Sequence, residues 1–291
     1  MPNVTPFNRA GELELSPLRR LVHNWLDEGV SGFVVNASTG EGALLSREEQ
    51  ITLIELMLEE VDGRAIVIAG TGSIGTRETI ELTKNAKECG ADAALVVTPY
   101  FFKPSDEEIF QHYATLMSSV DLPVILYNVP KFTGYSVKPK VIEKLSSEYD
   151  SLIGVKDSSG DVSLIAEIIR LVDDRISVLS GSADTFLPAM TLGGEGAILA
   201  IANVVPEICV ELYKAFREGD YDKAGELQIK ASFINKVLVK EHNQIAAIKA
   251  MMNHKKWYAG FPRRPLMPLP KKEEEDLLKT LEDSGILSER G

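Results

Sequence analysis

An α/β fold, a (β/α)8 or TIM barrel with a C-terminal helical extension, is what this chain predicts, and three observations carry the prediction. Short β-branched apolar runs alternate with polar turns and amphipathic stretches as far as Gly219. The runs are apolar on both faces, which means strands covered on both sides and a parallel sheet with helical crossovers. Past Gly219 the runs stop and only helical periodicity remains.

Taken in order, MPNVTPF supplies a short first strand, followed by the helix SPLRRLVHNWLDEG. GFVVNAS, AIVIAG, AALVVTP, LPVILYNV, LIGVK, ISVLSG and GAILAIA supply the other strands. The helices after them are expected to begin at Ser46, Thr76, Ser105, Pro139, Ser163, Asp184 and Pro206. Ser46 with Glu49, and Ser105 with Glu108, have the spacing of capping boxes. Eight such units is the count that closes a barrel. YDKAGELQIKASFINKVLV, NQIAAIKAMMNHK and KKEEEDLLKTLEDSG read as three further helices, with the proline-rich GFPRRPLMPLP connecting the last two. The expected division is a barrel over residues 1–219 and a helical extension over 220–291 packed on it.

Composition narrows the function. A chain of 291 residues that is 44% hydrophobic can bury one large core. Its 31 basic against 43 acidic residues argue against nucleic acid or an anionic membrane as partner. No apolar run reaches spanning length, and the first residues lack the plan of a signal peptide. Cys89 and Cys209 belong to no CxxC pair and read as reduced thiols of a cytoplasmic protein. His23, His112, His242 and His254 form neither an HxH nor an HExxH pattern, so neither metal nor cofactor is expected.

The chemistry points to Lys156, which ends the apolar run LIGVK just before a polar turn. Burial disfavours an ammonium, so such a lysine becomes a neutral amine near pH 7, the state an imine-forming nucleophile requires. The plainer alternative is an ion pair with adjacent Asp157, or a head in solvent. Tyr127 closes the preceding strand, and in a barrel the C-terminal ends of adjacent strands share the catalytic face. A phenol there can pass protons to and from an imine. NASTGEG places Ser38, Thr39, Gly40 and Glu41 just past a strand, where hydroxyls and backbone N–H groups suit a carboxylate. An ordinary turn tied down by Glu41 fits equally well. GTGSIG (Gly70, Gly72, Gly75) matches a dinucleotide glycine pattern. It follows the wrong strand, and the next strand ends in Val97, Thr98 and Pro99 rather than an acid, so a turn at the barrel mouth is the better reading. Gly181 and Gly196 sit at strand ends, as tight turns or as close approaches to a ligand.

ASTGE, VTPY, YNVP followed by TG, GVKDSSGD, and SG-x-AD with GGEGAILAIANV follow one another in an order that resembles the dihydrodipicolinate synthase/N-acetylneuraminate lyase family. The resemblance implies a TIM barrel aldolase, a tetramer in the family's manner, binding a 2-keto acid such as pyruvate as a Schiff base. It implies Lys156 as the imine-forming lysine and Tyr127 as the proton donor and acceptor. Ser38 and Thr39 match the hydroxyl pair at the keto acid carboxylate and in the proton relay. Ile198 matches the residue whose backbone lines the pyruvate site, and Gly181 the glycine opposite. Two positions depart. The family's synthases carry an arginine where this chain has Phe132, and a second tyrosine of the relay where it has Phe101. Lys131 is the neighbouring cation that could stand in for the arginine.

The expectation is therefore a lyase that cleaves or forms a 2-keto-3-deoxy acid, with pyruvate and an aldehyde as its small-molecule partners. The alternatives are dihydrodipicolinate synthase, condensing pyruvate with aspartate semialdehyde, and a catalytically silent keto-acid-binding regulator on the same barrel.

Overall fold

A computed structural model of the chain describes residues 1–285. Its sheet has seven parallel strands in chain order: β1 (Gly32–Val35), β2 (Ile66–Gly70), β3 (Ala93–Val97), β4 (Val124–Asn128), β5 (Leu152–Asp157), β6 (Ser177–Ser180) and β7 (Gly196–Ala197). Helix α1 (Leu15–Asp27) precedes β1. The crossovers are α2 (Arg47–Val61), α3 (Thr76–Cys89), α4 (Asp106–Ser119), the single turn α5 (Pro130–Thr133) with α6 (Pro139–Glu148), α7 (Val162–Val172) and α8 (Phe186–Thr191). After β7 come α9 (Pro206–Glu218), α10 (Tyr221–Asn235), α11 (Gln244–His254) and α12 (Lys271–Asp283). A π turn at Lys236–Lys240 prolongs α10.

Strand alternation sorts the side chains into two cores. Phe33, Val35, Val67, Val96, Leu126, Val155 and Val178 face the helices and pack with Trp25, Leu53, Leu116, Ile142, Ile168 and Leu212. Val34, Leu95, Ile125, Tyr127 and Ile198 form a separate cluster on the other face, with Ile68, Val97 and Leu179 against it. Val34 belongs to β1 and Ile198 follows β7, so their sharing one cluster requires the sheet to curl.

The expected eighth strand is corrected. Residues 1–7 make only isolated bridges, Pro2 to Val34 in parallel beside β1 and Phe7 to Leu13 and to Phe261 in antiparallel. The physical reason is Pro2 and Pro6, which have no N–H to give to a ladder. Asn203 does part of the missing work: its Oδ1 accepts from the Val4 N–H at 3.0 Å and its Nδ2 donates to the Pro2 carbonyl at 2.8 Å. The run GAILAIA is also shorter as a strand than expected. Only Gly196–Ala197 pair, and the chain then turns into a 3₁₀ helix at Ala200–Asn203.

Helix starts follow the capping chemistry. Ser46 and Ser105 each complete a capping box. Thr76, Pro139 and Pro206 open α3, α6 and α9 as expected. Helix α7 begins at Val162, one residue before the expected Ser163, because Asp161 accepts from the N–H groups of Ser163 and Leu164. Asp184 lies in a short 3₁₀ turn, Ala183–Thr185, that leads into α8. The last residues of the expected extension, 286–291, lie outside the described residues. Among the described residues no helix is long and apolar enough to cross a membrane.

Candidate active site

Lys156 and Tyr127 are direct partners in the β4–β5 register, with Asn128 opposite Asp157. The pleat then decides where each charge goes. Lys156 points to the inner face with Tyr127, its Nζ 4.2 Å from the centre of the phenol ring. Asp157 points the other way, where its carboxylate accepts from Asn128 Nδ2 at 2.6 Å and from the Ser159 N–H at 3.0 Å. Asp157 is therefore not the lysine's counter-ion, and at 3% exposure the lysine head is not in solvent either. Burial, with no carboxylate opposing it, lowers the Lys156 pKa from 10.5 to about 7. The Tyr127 phenol shifts upward, chiefly by burial, with the Ser158 and Ser38 hydroxyls pulling it back.

Gly181 lies beside this pair, its N–H bonded to the Asp157 carbonyl at 2.6 Å. A Cβ at 181 would overlap the Ser158 hydroxyl and stand 3.0 Å from Lys156 Cε, so the lysine stem passes where only glycine leaves room. Ile198 shares the inner cluster with Tyr127, and its N–H bonds the Ser180 carbonyl of β6 at 2.8 Å.

Ser38 and Thr39 lie in a 3₁₀ turn, Ser38–Gly40, immediately after β1. The first N–H groups of such a turn have no partner within it. Thr5 Oγ1 donates to the Gly40 carbonyl at 2.7 Å, and Gln244 Nε2 donates to Thr39 Oγ1 at 3.2 Å. Glu41 closes the turn with a left-handed backbone, φ 59. Its fully buried carboxylate accepts from Lys249 Nζ at 2.5 Å and from the Arg263 N–H at 2.7 Å. The two readings of this loop are thus compatible: Glu41 ties it down, and the tied loop carries the hydroxyls. GTGSIG is a packed turn. A Cβ at Gly72 would overlap the Val97 backbone, and Gly75 caps α3.

A cleft of about 540 Å³ is lined by Ser38, Tyr127, Phe132 and Tyr100 among others, while Lys156, Thr39, Gly181 and Ile198 are not part of its lining. Phe132 sits at its mouth, 49% exposed. Lys131 does not turn into it: its Nζ donates to the Val239 carbonyl at 3.1 Å. Phe101 stands 83% exposed and outside the lining, stacked edge-on with Phe102. Sequence reasoning missed Tyr100, Arg47, Glu78 and three residues of the C-terminal segment, Ile245, Pro265 and Leu266, that line the cleft. No local signal marks the last three, which arrive from more than a hundred positions away. Ser158 was missed as well, although its place two residues past Lys156, which returns it to the same face, is a local signal. Among the described residues no group of three or more His, Cys, Asp and Glu could hold a metal ion.

The profile of the dihydrodipicolinate synthetase family matches residues 1–284. The chain is 39% identical to a 4-hydroxy-tetrahydrodipicolinate synthase of Methanopyrus kandleri, over 99% of this chain and 96% of that one. It is 38% identical to a protein of the same name from Thermodesulfovibrio yellowstonii, over 98% and 97%. Among solved structures, the dihydrodipicolinate synthase of Aquifex aeolicus superposes with a TM-score of 0.93 at 35% identity, covering 98% of this chain and 97% of that one. A pyruvate complex of a prophage protein of the same family from E. coli K12 also scores 0.93, at 30% identity and with the same coverage.

Proposed function

The chain belongs to the dihydrodipicolinate synthetase family of metal-independent class I pyruvate aldolases, and from that premise we propose that Lys156 forms an imine with pyruvate and that the second substrate is a sugar-derived aldehyde. One observation carries the reading: a buried lysine without a counter-ion, its neighbouring aspartate turned to the opposite face, beside a buried phenol. In the cleavage direction the neutral amine attacks the C2 carbonyl of a 2-keto-3-deoxy acid, and Tyr127 gives its proton as water leaves, so that a protonated imine and a phenolate remain. The C3–C4 bond then breaks, its electrons flow into the imine, and Tyr127 takes the proton of the C4 hydroxyl as the aldehyde departs. The enamine gains a proton at C3 and hydrolysis frees pyruvate. Ser38 and Thr39, with the N–H groups of their turn, hold the keto acid carboxylate, and Gly181 and Ile198 line its pocket.

The same reading takes the curled sheet as the wall of a (β/α)8 barrel. Residues 1–7 fill the eighth position, and Asn203 hydrogen bonds stand in for part of the ladder. It also takes the protein as a cytoplasmic tetramer, which sedimentation of the pure protein checks.

The choice of aldehyde rests on Phe132 and Lys131. A semialdehyde with its own carboxylate wants a bidentate cation, and here a phenyl ring holds the mouth while Lys131 is bonded elsewhere. The second reading, condensation of pyruvate with aspartate semialdehyde, is favoured by the names of the relatives above. A panel of 2-keto-3-deoxy sugar acids and aspartate semialdehyde, read by pyruvate release or consumption, separates the two. Highest kcat/KM with a sugar acid is expected; highest kcat/KM with the semialdehyde establishes the second reading. Borohydride reduction in the presence of pyruvate should add one pyruvyl unit, at Lys156, and labelling of another lysine would sink the mechanism.

A further inference from the structure

The turn KDSSGD carries two serines with opposite fates. Ser159 is used up by the turn itself: its hydroxyl donates to Asp157 Oδ1 at 2.5 Å and accepts from the Asp161 N–H at 3.1 Å. Ser158 has its N–H fixed to the Asn128 carbonyl at 2.8 Å, level with the end of β4. Its hydroxyl oxygen is buried and meets no hydrogen-bond partner at full geometry. A buried hydroxyl left in that state is costly, and a hydroxyl has no packing advantage over a methyl. The bare Cα of Gly181 is what makes room for it.

Beside the Ser158 hydroxyl stands Lys156, whose Cε faces the same bare Cα of Gly181, and Tyr127 is the register partner of Lys156. The Ser158 and Ser38 hydroxyls draw the phenol's pKa down against the larger upward push of burial. The relay that the family resemblance leads one to expect lacks its second tyrosine, since position 101 is phenylalanine and lies outside the cleft.

We propose that Ser158 is a positioning residue of the reaction, completing within this chain a run of three hydroxyls, Ser38, Tyr127 and Ser158. The proposal rests on the Schiff-base reading above. Whenever Tyr127 has given its proton to the substrate, its oxygen is an anion in a buried site and needs donors. Ser158 supplies one by rotating its O–H toward the phenolate, and it accepts from the phenol once the proton returns. No net proton leaves Ser158 in the cycle.

The test is Ser158→Ala, made in the wild-type protein and again in the Tyr127→Phe background. In the wild-type background kcat and the exchange of pyruvate methyl protons with D2O should both fall about tenfold, the worth of one hydrogen bond. The KM for pyruvate should stay within about twofold, because the carboxylate contacts are elsewhere. The alkaline limb of the kcat profile should move to higher pH, since the phenolate has lost a donor. In the Tyr127→Phe background the same change should cost nothing further, because its only route is through the phenol. Wild-type kcat in Ser158→Ala, or an equal loss in both backgrounds, overturns the proposal. Absence of a pyruvyl adduct on Lys156 of the wild-type protein would instead overturn the imine reading.

Discussion

Among the described residues two lysines are buried, and their surroundings differ in one respect. Lys249, 1% exposed on α11, gives its ammonium to Glu41 Oε1 at 2.5 Å, to the Thr5 carbonyl at 2.7 Å and to the Phe261 carbonyl at 2.8 Å. Lys156, 3% exposed on β5, has a phenol ring beside it and no carboxylate. Burial lowers both pKa values, to about 7 for Lys156 and, against the pull of Glu41, to about 8 for Lys249. An ammonium with its three protons occupied has no lone pair to offer. The difference teaches that burial alone does not make a nucleophile; burial without partners does. It also divides the labour of the proposed site, since the Lys249 pair holds the turn of Ser38 and Thr39 in place while Lys156 is left without an ion-pair partner for the proposed imine.

The sharpest way to break the comparison is to put methionine at each position. Lys156→Met should abolish turnover and the borohydride adduct; residual wild-type-like activity would remove Lys156 from the chemistry. Tyr127→Phe comes next, with turnover expected to fall by roughly 10²–10⁴-fold while the fold is retained. A wild-type rate would return Tyr127 to the core.

Stability should move in opposite directions. Lys249→Met leaves the Glu41 carboxylate buried without its cation, a change that costs roughly 3–5 kcal/mol, read as a lowered midpoint in urea or heat. Lys156→Met removes a group that folding forces toward neutrality. The wild-type penalty is fully present below the folded pKa of about 7 and vanishes as pH rises through the unfolded value of 10.5. The variant should therefore be more stable than wild type at pH 6, by on the order of a few kcal/mol, with the gain shrinking steadily toward pH 10. A destabilised Lys156→Met at pH 6 would mean that the lysine has a structural partner after all. The smallest effect is on rate: kcat/KM should rise with pH to a plateau just above about pH 7, as the Lys156 amine loses its proton.

How much of this was legible beforehand varies with the range of the physics involved. Strand alternation alone puts Lys156 and Ser158 on one face and Asp157 on the other, and capping chemistry alone starts α2 and α4. The prolines at 2 and 6 could have warned against an eighth strand, because a missing N–H is a local fact. Phe132 at the cleft mouth agrees with its place after YNVP. By contrast, nothing local to Lys131 shows that it bonds the Val239 carbonyl, and nothing local to Phe101 shows that it faces away from the cleft.

By itself the sequence determined the order of strands and helices, the family, and the residue types available for an imine: a lysine at the end of an apolar run, a tyrosine one strand earlier, and a serine–threonine turn. The elements follow from periodicity and spacing, which act over a few residues, and the family from the resemblance of its motifs. Tertiary structure alone decided which polar and charged groups are paired. Lys249 and Glu41 are separated by 208 positions, Arg263 and Glu49 by 214, and Gln244 and Thr39 by 205. The state of Lys156 depends equally on the absence of such a partner. Electrostatics acts through space and through exposure to water, so a lysine's partners, and hence its proton, are fixed only once the chain has folded.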